Sequence, residues 1–125
     1  MHFLECVKEL DTVPKIAQYM ENFTYRKHTN AYTPYQMWKY QIGDCNDYAA
    51  FGVFVAKQHS IEAYQVQVWY TNCSTHVNAV YKVGDYWVLT DCWVYHEKFR
   101  SIDEAIKWHS IYSHRDLVRY KIRGK

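Results

Sequence analysis

Between Cys45 and Ala56 apolar residues recur at 45, 48, 49, 52, 55 and 56, a three-and-four spacing that suits a buried helix. Past Ser60 the period drops to two: Tyr64, Val66, Val68 and Tyr70 alternate with Gln65, Gln67 and Trp69, as on a half-buried strand. A chain that passes from one period to the other within a few residues must pack its helix on the strands that follow. The helix start is marked as well. Gly43-Asp44 interrupts the preceding pattern, Asp44 suits the N-cap, and Asp47 adds an acid to the first turn, where unpaired N–H groups and the helix dipole favour one. The spacing predicts a helix that Cys45 opens and that ends near His59.

The other elements are legible around that junction. Thr12-Val13-Pro14 predicts a helix with apolar Ile16, Ala17, Met20 and Phe23 behind it, and Thr33-Pro34 opens a shorter one through Trp38. After the alternating strand, Asn72-Cys73-Ser74 reads as a turn, and strands over 76–83 and 86–93 form a hairpin across Gly84-Asp85. Ser101-Ile102-Asp103-Glu104 has capping-box spacing for a helix through about Trp108, and Leu117–Ile122 alternates as a last strand. Helices, then strands, then one more of each give an α+β class. No repeat, low-complexity tract or linker divides the chain, so one domain over residues 1–125 is expected, within the ~100–150 residues a single core commonly holds.

A hydrophobic content of 49%, with 18% aromatic residues, is enough to build a core and more than a disordered segment carries. The net charge is +2 and the Lys and Arg residues are scattered, so the basic stripe of a nucleic-acid binder is missing. No window approaches ~18 consecutive apolar residues, and Met1-His2-Phe3-Leu4-Glu5-Cys6 lacks the basic-then-apolar order of a secretory signal. The expectation is a cytoplasmic protein without membrane or nucleic-acid partners. In that setting Cys6, Cys45, Cys73 and Cys92 read as free thiols, ligands or a nucleophile, not as a disulfide framework.

One of the four occupies a chemically special position. A thiol in the first turn of a helix sits among unpaired N–H groups at the positive end of a dipole, which favours the reactive thiolate, and the same N–H groups can bind an oxyanion. Taken alone, Cys45 is as well read as a small buried hydrophobe. The hairpin changes that balance. With Gly84-Asp85 as a two-residue loop, Val83 pairs with Tyr86, which sets Asp91 opposite Asn78 and Trp93 opposite His76. His76 and Asp91 then become diagonal neighbours on one face, ~7–8 Å apart at the backbone and within reach of a carboxylate–imidazole hydrogen bond. Val80 and Leu89 share that face and are expected to pack on the Cys45 helix. A nucleophile, a base and a group that orients the base emerge: Cys45, His76 and Asp91.

These segments resemble the transglutaminase-like superfamily. Gly43-Asp44-Cys45-Asn46-Asp47-Tyr48-Ala49 is similar to its G-x-C-x-x-x-A cysteine helix, His76-Val77-Asn78-Ala79-Val80-Tyr81 to its histidine strand, and Tyr86-Trp87-Val88-Leu89-Thr90-Asp91 to its W-x-x-x-D strand. Ser60-Ile61-Glu62-Ala63-Tyr64-Gln65-Val66 stands where the family has G-I-P-A-R-x-V. The resemblance spans residues 34–95. It implies a papain-like core, a Cys-His-Asp triad that forms a thioester with an acyl donor, no cofactor, and a peptide or protein substrate. The family includes glutamine-crosslinking transglutaminases, peptide N-glycanases and microbial peptidase-like proteins, so it constrains the mechanism more than the substrate. Two departures stand out: Asn78 replaces a usual aromatic, and Ser60 and Glu62 replace the glycine and proline. Asn78 and Trp93 are candidate substrate contacts. Papain-like enzymes place an oxyanion side chain upstream of the cysteine, and Gln41 is favoured here among Gln36, Trp38, Tyr40 and Gln41.

Two other readings compete. Cys73-x2-His76 and Cys92-x3-His96 offer a set that zinc accepts, but strand alternation sends Cys92 to the face opposite His76 and Asp91, so no metal is expected. A binding module could use the aromatic residues as a recognition surface, yet all three triad residues are kept. The small size leaves no accessory domain to present a protein lysine, which favours hydrolysis of an amide bond over transamidation.

Overall fold

The computed structural model describes residues 2–27, 30–71 and 75–124; the turn expected at Asn72-Cys73-Ser74 lies outside them. Five antiparallel strands form the main sheet: β3 (Ala63–Tyr70), β4 (His76–Val83), β5 (Tyr86–Asp91), β6 (Val94–Phe99) and β7 (Leu117–Ile122), in the order β6-β5-β4-β3-β7. The helices α1 (Phe3–Glu9), α2 (Val13–Met20), α3 (Pro34–Tyr40) and α4 (Cys45–Gln58) precede it, and α5 (Ile102–Tyr112) lies between β6 and β7. Between the early helices a two-residue parallel pair joins β1 (Thr24–Tyr25) to β2 (Ile42–Gly43). This is the α+β arrangement expected from the order of the periodicities.

The caps act as the sequence implies. Thr12 and Thr33 accept from the Lys15 and Gln36 N–H groups, with a proline in the first turn of each helix. Asp44 caps α4 and forms a full reciprocal box with Asp47. At α5 the box is only half made. Ser101 accepts from the Glu104 N–H at 3.0 Å, while the Glu104 carboxylate turns to the Arg100 N–H. Once nucleated, α5 continues to Tyr112, a turn past the expected end at Trp108.

The sheet is covered on both faces. Val77, Ala79, Tyr81 and Val88 join Tyr48, Phe51 and Val55 of α4, together with Ile16, Met20 and Met37, in one apolar cluster. Val66, Val68, Val80 and Leu89 join Ile102, Ala105 and Ile106 of α5 in the other. Val80 and Leu89 thus pack on α5, not on the Cys45 helix as expected. The two share a face as the alternation implies, but a second helix claims that face. Gly52 sets how closely α4 approaches the sheet, because a Cβ there would collide with the Tyr81 hydroxyl.

The hairpin has the two-residue loop, with Val83 opposite Tyr86 and Ala79 opposite Thr90. Its second strand stops short of the expected Trp93. β5 ends at Asp91, Cys92 takes a left-handed φ of 55°, and the chain folds back as β6, pairing Asp91 with Val94. Trp93 therefore sits in a turn and does not face His76.

Candidate active site

Cys45 is the first residue of α4 and His76 the first of β4, and both line a cleft of about 550 Å³. The approach to Cys45 is built from small parts. A Cβ on Gly43 would come within 2.7 Å of the Asp47 Cβ and the Met37 Sδ, so the chain can pass this close only with glycine there. Asp47, 1% exposed, accepts from the Asp44 N–H at 3.0 Å and from the Tyr32 N–H at 2.8 Å, tying the preceding loop to the helix start. Tyr48 N–H makes the first intrahelical bond, to the Asp44 carbonyl, and the Asp47 N–H goes to the Asp44 side chain. The N–H groups of Cys45 and Asn46 precede the first intrahelical bond, and both residues line the cleft.

The register of the hairpin carries Asp91 to His76. His76 Nε2 donates to Asp91 Oδ1 at 2.7 Å, which leaves Nδ1 as the ring nitrogen for the Cys45 thiol. Burial alone would lower the imidazole pKa, but the hydrogen bonds to Asp91 and Cys45, and their negative charge, outweigh it and raise the value to about 9. Burial likewise works to raise the Asp91 pKa. Hydrogen bonds from His109 and then His76 reverse that effect and hold the carboxyl well below the usual carboxylate range.

His109 is the residue that the sequence did not single out. It lies on α5, is 1% exposed, and donates from Nε2 to Asp91 Oδ2 at 3.0 Å. Its ring runs nearly parallel to that of His76, 4° apart in plane with centroids 6.2 Å apart. Each carboxylate oxygen of Asp91 thus receives one imidazole N–H. A signal did exist: His109 continues the buried stripe of Ile102, Ala105 and Ile106 at helical spacing.

The remaining candidates lie elsewhere. Gln41 caps the end of α3 with a φ of 57°, and its Nε2 lies 3.5 Å from the Tyr19 hydroxyl in a separate cleft beside Cys6 and Trp38. The left-handed turn at Gln41 reverses the chain and swings the side chain away from Cys45. Asn78 is fully buried and so cannot touch substrate, and both of its side-chain polar atoms lack a hydrogen-bond partner. Trp93 packs on Tyr48 at 5.8 Å between ring centroids and lines a cleft with Pro14 and Tyr95. The wall beside Cys45 is instead formed by Tyr25, whose hydroxyl is raised in pKa by burial and then by negative charge on Cys45.

Cys6, Cys45 and Cys92 carry free thiols. Of the zinc alternative, Cys73 lies outside the described residues. Cys92 packs against the α4 cluster, while His96 sits 4.9 Å from the Trp108 and Tyr112 rings on the α5 side, so the two point to opposite faces of the sheet. Among the described residues no group of three His, Cys, Asp or Glu side chains could hold a metal ion, and no helix is long and apolar enough to cross a membrane.

In sequence, the family described as a transglutaminase-like domain matches residues 4–114. No curated protein matches the chain. Among solved structures, a crystallised candidate cysteine protease from Cytophaga hutchinsonii has a TM-score of 0.56 at 15% identity, over 95% of this chain and 50% of that one. At that identity the likeness is one of fold, and this chain spans half the length of its neighbour.

Proposed function

The chain belongs to the transglutaminase-like domain family, and from that premise we propose that it catalyses acyl transfer through a thioester on Cys45, with hydrolysis of a peptide or other amide bond as the outcome. The observation that carries this reading is the His76 imidazole, bonded to Asp91 through Nε2 and acted on by Cys45 from its other side. The fold shared with a candidate cysteine protease is in keeping with it.

In the proposed cycle the Cys45 sulfur forms a bond to the substrate carbonyl carbon, and the oxyanion is received by the Cys45 and Asn46 N–H groups. Collapse of the adduct breaks the C–N bond, and the imidazolium of His76 gives its Nδ1 proton to the departing amine. Water then attacks the thioester and loses a proton to His76. The C–S bond breaks, and the carboxylic acid leaves with the thiolate–imidazolium pair restored. Asp91 keeps the imidazole in the tautomer with Nε2–H and steadies its charged form.

Transamidation differs only in that an amine replaces water. A screen of peptide amides and glutamine donors, with and without a primary amine, compares the native protein with Cys45→Ala. Turnover by the native protein alone is the expected result, and the product formed in the presence of amine distinguishes the two outcomes. Turnover that survives in Cys45→Ala would remove that residue from the proposed role.

A further inference from the structure

The cleft in front of Cys45 is lined by three cationic side chains, Lys27, Arg115 and Arg123, against one acid, Asp44, whose side chain accepts the Asp47 N–H. The ion pairs among the described residues join Lys15 to Asp11, Lys107 to Asp103, and Asp91 to His76 and His109, and none includes the three cleft cations. Arg123 is held in place by neutral groups. Its Nη1 donates to Asn46 Oδ1 at 2.7 Å and to Gln65 Oε1 at 2.9 Å, and its Nη2 donates to Gln67 Oε1 at 3.3 Å. Those acceptors fix the guanidinium beside the residue that follows the nucleophile without offsetting its charge. Arg115 is steadied over the Tyr70 ring, 5.4 Å from its centroid. A half-buried guanidinium clamped by three carbonyl acceptors, with two further cations across the same cleft, forms a preset field for an anion.

Resting on the acyl-transfer reading above, we infer that the substrate presents a carboxylate next to the bond attacked by Cys45, and that Arg123, Arg115 and Lys27 recognise it. The fork of an arginine matches the two oxygens of a carboxylate, and such a group can come from an Asp or Glu side chain or from a peptide C-terminus. A neutral amide donor gains nothing from this wall.

Alkylation of Cys45 separates this inference from the one beneath it. Iodoacetate and iodoacetamide both form a C–S bond with expulsion of iodide, and they differ in charge. The rate ratio at Cys45, normalised to that of mercaptoethanol, is expected to favour iodoacetate by about tenfold at low salt and to shrink as salt screens the field. The ratio falls in Arg123→Gln and in the exposed pair Lys27→Gln/Arg115→Gln. If it stays unchanged in both, the His76 imidazolium accounts for it and the carboxylate inference is overturned, while the thiol reading stands. If neither reagent labels Cys45, both readings fall together. Protection against iodoacetamide identifies the source: acetyl-aspartate amide tests a side-chain carboxylate and acetyl-alanine a terminal one, and either supports the inference. Equal protection by neutral acetyl-alanine amide contradicts it.

Discussion

Asp91 is shared between two histidines: its Oδ2 accepts from His109 at 3.0 Å while its Oδ1 accepts from His76 at 2.7 Å. A carboxylate held by one bond can rotate, whereas one held at both oxygens presents a fixed acceptor to His76. His109 is buried on α5, so the helix that covers the far face of the sheet also sets the geometry at the cleft.

Removing the second donor therefore tests positioning and not merely packing. His109→Leu is expected to lower stability by about 1.5–3 kcal/mol, the range for a hydrogen bond to a charged group, read from urea unfolding. It should also move the alkaline limb of the rate below that of the native protein, because Asp91 then holds His76 less firmly. His109→Gln, which keeps an N–H donor, should recover part of both effects. An unchanged pH limb in His109→Leu would reduce His109 to a core filler.

The raised pKa of His76 fixes a pH window. With a folded value of about 9 against an ordinary 6.5, its contribution to stability is complete below 6.5 and is lost as pH rises through about 9. Asp91 has the opposite sign: its contribution is complete above the ordinary 3.8 and is lost only as pH falls far below it. Urea midpoints at pH 6 and pH 10 should differ in the native protein and differ less in His76→Gln. Turnover should likewise fall on the alkaline side near pH 9, and the limb should move down in Asp91→Asn. A limb unmoved by that substitution would detach Asp91 from His76.

Much of this was legible in residue order, and the omissions have physical causes. The two-residue loop at Gly84-Asp85 fixed the parity of the hairpin, and with it the meeting of His76 and Asp91. The return at Cys92-Trp93 carries no glycine, asparagine or proline to announce it, so nothing in the residue order points to β6 or moves Trp93 from its expected place opposite His76. The pair β1–β2 is two residues long and has no period to read. α1 offers too few turns to show one either. Gln41 departs from its expected place for a subtler reason. Position in the chain puts Gln41 upstream of Cys45, but the left-handed turn decides the direction of its side chain. His109 was hidden because a histidine in an apolar stripe looks like any core position until its partner is known.

Gly52 offers a test of how α4 seats on the sheet. Gly52→Ala should be destabilising despite the better helix propensity of alanine, because the added methyl meets the Tyr81 hydroxyl, which is bonded to Thr90 at 2.8 Å. In a Tyr81→Phe background the same substitution should cost much less. Additive costs in the double variant would show that the helix relaxes some other way.

Asp44 and Asp47 bear on Cys45, the proposed nucleophile, through the helix start. Asp44→Ala should cost about 1 kcal/mol, the usual value of a lost N-cap, measured by thermal or urea unfolding. Because the cap also orders the N–H groups beside Cys45, turnover should fall by more than the loss of folded protein explains. A drop that tracks stability alone would leave the cap with a structural role only.

Whether Cys45, His76 and Asp91 act as one unit, as proposed, can be tested without knowing the substrate. The rate of iodoacetamide labelling at neutral pH is mapped to each cysteine by mass spectrometry, in the native protein and in His76→Ala. Cys45 is expected to react well ahead of Cys6, Cys73 and Cys92, and His76→Ala to remove most of that lead. Equal labelling of the cysteines, or a lead that persists without His76, would contradict the proposal.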